Sequence, residues 1–285
     1  MVTRRREETG TAFTKWILYV FPSIIFFFFI IIPTLFVTFK RNIVWRDSLP
    51  LWTDVVSKGP RARGYHNLGL AYYSRGQLDD AIKNYIIASR MNPDSAETHH
   101  NLGLAHHKQG RFSEAMKEYA TALSINPGSL YAYINMGNAY MDQGRVDEAI
   151  SKYTFAIALN PYYPEAHHNL GLAYYKKGYI NKAIKEYREA LSLNPDDADI
   201  HNNLGSAYYS QGRVDEAMKE YITALRLNPN DAITHYNLGV IYWRKGLTDM
   251  ARTEMEIAIS LRPDYLPVQQ AIESLYKESQ TFMPR

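Results

Sequence analysis

The chain contains no cysteine. This excludes a disulfide framework, a thiolate zinc site, c-type haem attachment and a cysteine nucleophile. A large excess of one charge is also missing: the formal net charge is +3. Residues 1–61 carry nine Lys/Arg against four Asp/Glu, while residues 62–285 carry twenty-three against twenty-five. A nucleic-acid partner requires a concentrated basic face, which the large near-neutral part does not offer. No phosphate-cradling glycine loop and no nucleophile, base and orienter constellation is present, so no catalytic residue, no cofactor and no enzyme activity are expected. What the chain does have is apolar residues, 46% of 285, which is enough for one or two folded domains.

Residues 16–39 read WILYVFPSIIFFFFIIIPTLFVTF, twenty-four residues without a charge. About 20 apolar residues cross the hydrocarbon core, so this segment is expected to be a transmembrane helix held by membrane lipid. It is too long for a signal peptide, and no small-residue cleavage site follows it. Pro22 and Pro33 are tolerated in such a helix when neighbouring groups satisfy the freed carbonyls. Arg4, Arg5, Arg6 and Lys15 on one side are matched by Lys40, Arg41, Arg46 and Lys58 on the other, so charge does not set the orientation.

Aligning the motif NLG against itself exposes a 34-residue period that runs six times without insertion, starting at Ala62, Ala96, Leu130, Pro164, Ala198 and Ala232. A glycine eight residues into each copy allows close helix approach, and a second, such as Gly178, divides two apolar helical patterns. A proline, such as Pro195, closes each copy, and alanine pairs such as Ala183 and Ala190 recur inside the second pattern. Each unit is therefore helix, glycine turn, helix. The sixth copy departs at Thr248, Arg252 and Met255, as expected of a terminal unit. Residues 266–285 supply a capping helix and tail, with Val268, Ala271, Ile272 and Leu275 in one stripe and Gln270, Glu273 and Lys277 on the wet face. The register also extends backwards, so residues 40–61 read as a juxtamembrane half-repeat, with Trp45 and Trp52 able to pack or to sit at the interface. The expected organisation is a basic flank over 1–15, the membrane helix over 16–39, the half-repeat over 40–61, six repeats over 62–265 and the cap over 266–285.

The pattern of aromatic, N-L-G, tyrosine, alanine, tyrosine, alanine and proline resembles the tetratricopeptide repeat (TPR) family over residues 62–265. The resemblance implies an all-α, right-handed superhelical solenoid of helix pairs, with the first helix of each pair lining a concave groove. The stretch RNIVWRDSLPLWTDVVSKGP (residues 41–60) resembles the junction before the TPR tails of protein O-mannosyltransferases. Those enzymes have many membrane helices, so their catalysis is not implied; what is implied is a cytoplasmic N-terminus and repeats on the periplasmic or lumenal side.

The sixth place of every copy is asparagine: Asn67, Asn101, Asn135, Asn169, Asn203 and Asn237. An amide donates and accepts, so such a ladder can pair with the backbone of an extended peptide whatever its sequence. A similar ladder lines the peptide-binding superhelix of O-linked N-acetylglucosamine transferase; asparagine at this place is equally compatible with solvation of the groove. Specificity is expected from the fifth place, with His66, His100 and His168, and from the twelfth, with Tyr73, His107, Tyr175, Tyr209 and Trp243. This surface suits an aromatic, apolar or mildly acidic segment and lacks the fifth-place lysine of carboxylate-clamp relatives. The adjacent histidine pairs face apart on a helix, and His100 and His107 stand two turns apart, about 10 Å, so no metal site is expected. The expected function is a membrane-anchored scaffold that binds a partner protein or extended peptide segment near the bilayer. The alternatives are a structural subunit of a larger membrane complex, using the outer face, and a non-catalytic accessory that presents acceptors to a glycosyltransferase.

Overall fold

A computed structural model describes residues 48–281, with side chains to Ser274. The transmembrane reading of 16–39, the flank 1–15 and residues 40–47 lie outside the described residues. Fourteen helices form the described part: α1 (Ser48–Lys58), α2 (Ala62–Ser74), α3 (Leu78–Met91), α4 (Ala96–Lys108), α5 (Phe112–Ile125), α6 (Leu130–Asp142), α7 (Val146–Leu159), α8 (Pro164–Lys176), α9 (Ile180–Leu193), α10 (Ala198–Ser210), α11 (Val214–Leu227), α12 (Ala232–Arg244), α13 (Thr248–Leu261) and α14 (Leu266–Thr281). None of them is long and apolar enough to cross a membrane. The fold is an all-α solenoid of helix pairs. It divides into two compact units after Gln109, the first with α1–α4 and the second with α5–α14.

Each pair is produced by local chemistry. At the end of α8 the chain must reverse within three residues, and Gly178 does this at φ +78°. Its N–H reaches the Tyr175 carbonyl at 2.9 Å, and the N–H of Tyr179 reaches that of Tyr174 at 2.9 Å. Two orphan carbonyls are thereby satisfied, in the doubly bonded helix ending that a left-handed residue makes possible. At the opposite end, Asp197 caps α10 by accepting from the N–H groups of Asp199 and Ile200, both at 3.1 Å. Asp231 does the same for α12 and Ser95 for α4.

Packing in the second unit follows from one small residue meeting one large one. Gly171 of α8 faces the ring of Tyr187 on α9, Gly137 faces Tyr153, and Gly205 faces Tyr221. These tyrosines are 1–2% exposed, and Ala183, Ala190 and Ala217 beside them are fully buried. In the last repeat Met255, also fully buried, takes the tyrosine's place against Gly239. An unbranched side chain fits there because α14 closes this end with Val268 and Ala271 buried and Ile272 against the same core. In the first unit the Gly69 and Tyr85 pair repeats the arrangement. There α1 lies on α2 at Gly64, where a Cβ would meet Val56 Cγ2 at 3.2 Å.

A repeated polar clamp holds the second unit together outside its apolar core. His167, His201 and His235 each place Nδ1 on a glutamate of the following helix, Glu186 at 2.8 Å, Glu220 at 2.7 Å and Glu254 at 2.6 Å. Each Nε2 meets the carbonyl of the proline that closed the previous repeat, Pro161, Pro195 or Pro229, at 3.0 Å. With an oxygen partner at each ring nitrogen, every ring ties three segments together, its own helix, the following helix and the preceding turn. In the third repeat Tyr133 and Phe155 stack at 5.6 Å instead. Further ties cross the repeats at the turns, from Lys177 to Asp147, from Gln211 to Asn181 and from Lys245 to Asp215.

Candidate protein-binding groove

The inner helices of the second unit, α6, α8, α10 and α12, run parallel, because residues at adjacent places in successive repeats touch at both ends. Near the helix starts, Asn203 Nδ2 bonds His168 Nε2 at 2.9 Å, and Asn237 Nδ2 donates to Asn202 Oδ1 at 3.0 Å. Near the helix ends, the Tyr175 hydroxyl meets Ser210 Oγ at 3.0 Å, and Lys176 Nζ donates to the Met141 carbonyl at 3.4 Å. The asparagine ladder thus has a structural job. Asn169, Asn203 and Asn237 each spend one N–H on the preceding repeat, to Asn138, His168 and Asn202. Each amide still offers its oxygen and a second N–H to the groove. Asn135 lies on α6 in the same row, half-buried like the other three. Their partial exposure keeps them within reach of a ligand.

At the twelfth place Tyr175, Tyr209 and Trp243 pack against one shared core, all half-buried. The Arg244 guanidinium stands 5.4 Å from the centre of the Tyr209 ring. The result is an aromatic strip with a cation along one border, a surface that favours stacking and polarised contacts.

The first unit repeats the inner positions on α2 and α4. Asn67, Asn101, His100, Tyr73 and His107 are half-buried, with Lys108 Nζ 5.2 Å from the Tyr73 ring centre. His66 differs from the expectation of a groove-surface ring: only 8% of it is exposed. Its Nδ1 meets Thr98 Oγ1 at 3.0 Å, and Thr98 is tied in turn to Ser95 at 2.8 Å. Glu97 Oε1 lies 3.4 Å from its Nε2, outside good hydrogen-bond geometry, so that nitrogen is buried without a hydrogen bond.

Burial pushes the rings of His66, His100 and His168 below the ordinary histidine value, with nearby carboxylates opposing the shift only in part. A folded pKa below the unfolded 6.5 means that the unfolded chain binds more protons just below that pH. Stability from these rings is present above pH 6.5 and is lost as the pH falls through it. The urea midpoint is expected to drop between pH 7.5 and pH 5.5, and to drop less in His168→Gln. An equal pH response in variant and parent would remove His168 from the account.

Sequence reasoning did not reach several groove residues. Asn138 accepts from both Asn169 Nδ2 and the Tyr153 hydroxyl, and Ser206 meets the Tyr221 hydroxyl at 3.1 Å. The signal was available: the ninth place is leucine at 70, 104 and 172 and polar at these two positions. Among the described residues no three His, Asp or Glu side chains converge as metal ligands.

The geometry has clear relatives. The family model described as TPR repeat matches residues 69–110, 137–178, 175–212 and 205–246, and models described as tetratricopeptide repeat match 106–151 and 232–265. No curated protein matches the chain. Among solved structures, the fold is similar to the APC/C hetero-tetramer Cut9–Hcn1, with a TM-score of 0.68 and 22% identity over 79% of this chain. Only 45% of that chain is covered, so this protein spans less than half its length. PilF of Pseudomonas aeruginosa gives a TM-score of 0.67 and 21% identity over 75% of this chain and 97% of its own. YrrB, described as a TPR protein with an unusual peptide-binding site, gives 0.55 and 23% over 66% and 97%. The TPR matches together take in more than half of the residues, and the chain belongs to the tetratricopeptide repeat family.

Proposed function

We propose that this protein is a non-catalytic scaffold whose inner helices hold an extended segment of a partner protein, with residues 16–39 anchoring it in a membrane and the repeats on the extracytoplasmic side. The observation that carries the reading is the row of half-buried amides beside the strip of Tyr175, Tyr209 and Trp243. Asn169, Asn203, Asn237 and Tyr175 are fixed by cross-repeat bonds, and all four stay partly exposed. Fixed groups bind an extended chain with little ordering of their own. A TPR relative with a described peptide-binding site supports the same use of the fold.

A second reading, a structural subunit of a membrane complex, is favoured by a different observation. Phe155, Leu159 and Tyr162 are 53%, 46% and 79% exposed, and a folded neighbour would cover them.

A photo-reactive amino acid placed at Tyr209, and separately at Phe155, in intact membranes distinguishes the two. Capture of a flexible segment from position 209 is expected. Capture only from position 155, and only of folded subunits, would overturn the groove reading in favour of the subunit. Deleting residues 16–39 is expected to release the chain from the membrane fraction; retention there would remove the anchor.

A further inference from the structure

Two cavities occupy the same place in two different repeats, one in each unit. The first, about 370 Å³, lies between the start of α2 and the α3–α4 junction and is lined by Arg63, His66, Asn67, Asn92, Ser95 and Glu97, among others. The second, about 290 Å³, lies between the start of α8 and the α9–α10 junction and is lined by Tyr163, Glu165, His168, Asn194, Asp197 and Ile200, among others. In both, a fifth-place histidine forms one wall and an asparagine that ends the second helix forms another; a carboxylate lines each, Glu97 from the following inner helix in the first and Glu165 from the histidine's own helix, where the first has Arg63, in the second. From this recurrence and its chemistry we infer that each notch receives a basic side chain, a lysine ammonium or an arginine guanidinium, from the partner segment in the groove. This inference rests on the groove reading above.

The chemistry of the walls selects a donor. His66 is more than nine-tenths buried, and its Nε2, a wall of the first notch, has no hydrogen bond. A buried polar atom left so is costly, and a ligand able to bond it recovers that cost. With the ring proton on Nδ1, toward Thr98 Oγ1, Nε2 is an acceptor, and the Glu97 carboxylate 3.4 Å from it makes a positively charged donor the best match, because one cation bonds both groups at once. The amides of Asn67 and Asn92 add acceptor oxygens. Arg63 also lines this notch but is an exposed residue on a long stem, able to turn to solvent.

The second notch has no cation among its lining residues. Glu165 accepts from the Tyr163 hydroxyl on one oxygen, at 3.0 Å, which leaves the other open. Asp197 adds its negative charge while capping α10. The Tyr163 ring offers an aromatic wall, where a guanidinium or ammonium is stabilised by the ring quadrupole. An anionic side chain would meet two carboxylates and no cation there.

Binding of labelled extended peptides to the full chain in mild detergent tests this. One fixed position carries lysine, arginine, acetyl-lysine or glutamate, and the remaining positions are randomised. Lysine and arginine pools are expected to bind about tenfold or more tighter than the acetyl-lysine pool. That preference should shrink in Glu165→Gln combined with Glu97→Gln and turn toward glutamate in Glu165→Lys. The same pools, crosslinked through a photo-reactive residue at Tyr209, separate the two levels of the argument. Capture at 209 with no preference for charge overturns the notches and leaves the groove standing. Absence of any capture overturns both.

Discussion

Replacing Gly171 with alanine is expected to destabilise the second unit by about 1–3 kcal/mol, the usual cost of forcing a methyl group into a closed core. A Cβ built at this position would lie 2.6 Å from Cε1 and 2.7 Å from Cδ1 of Tyr187, a ring that is itself 1% exposed and has no space to retreat into. Removing the ring instead, with Tyr187→Ala, is expected to cost about 3–5 kcal/mol through lost burial and the cavity left behind. The pair together makes the informative experiment. Once the ring is gone the extra methyl has nothing to strike, so Gly171→Ala with Tyr187→Ala should be no less stable than Tyr187→Ala alone. Urea unfolding followed by circular dichroism reads all three variants. Strictly additive losses would show that glycine is required for some other reason, such as its backbone freedom, and would break the proposed coupling.

The second large effect belongs to the histidine clamp. Glu186→Ala removes the partner of His167 Nδ1, at a place where the two side chains are only 14% and 10% exposed, and is expected to cost about 3 kcal/mol. Most of that loss comes from the stranded ring nitrogen, which the alanine variant cannot hydrate without opening the repeat. Glu186→Gln keeps a group able to donate to Nδ1 while Nε2 keeps its bond to the Pro161 carbonyl, so it should recover most of the stability. If the glutamine variant is as unstable as the alanine variant, the charge itself matters rather than the hydrogen bond. If neither variant loses stability, the clamp is incidental. Comparable losses are expected at Glu220 and Glu254, whose partners hold the same geometry.

Much of the architecture was legible because repetition multiplies weak local signals. A single glycine eight residues into a helix says little; recurring with a tyrosine sixteen places later in five of the six copies, it announces a fixed steric pair. The turn glycines, closing prolines and small alanines each act within a few residues of themselves or on the next helix, so their consequences can be read from spacing alone. That is why the helix pairs were predictable by residue, and why Asn67, Asn101, Asn135, Asn169, Asn203 and Asn237 fall at one place on the first helix of each pair.

The cross-repeat contacts were not predictable in that way. Position alone placed His66 in the groove, but its ring turns inward to Thr98 because the next repeat offers a hydroxyl there, and the residue is buried. His168, at the same place in its own repeat, is taken instead by Asn203. His167, His201 and His235 share the fourth place of their repeats, and only in the fold does the following helix bring a glutamate and the preceding turn a carbonyl to the two sides of each ring. The sequence by itself determined which residues form helices, where they turn and which small and large side chains must meet. Only the tertiary structure decided which polar groups are occupied by neighbours and which remain open to a partner, because a hydrogen bond depends on distances and directions between segments far apart in the chain.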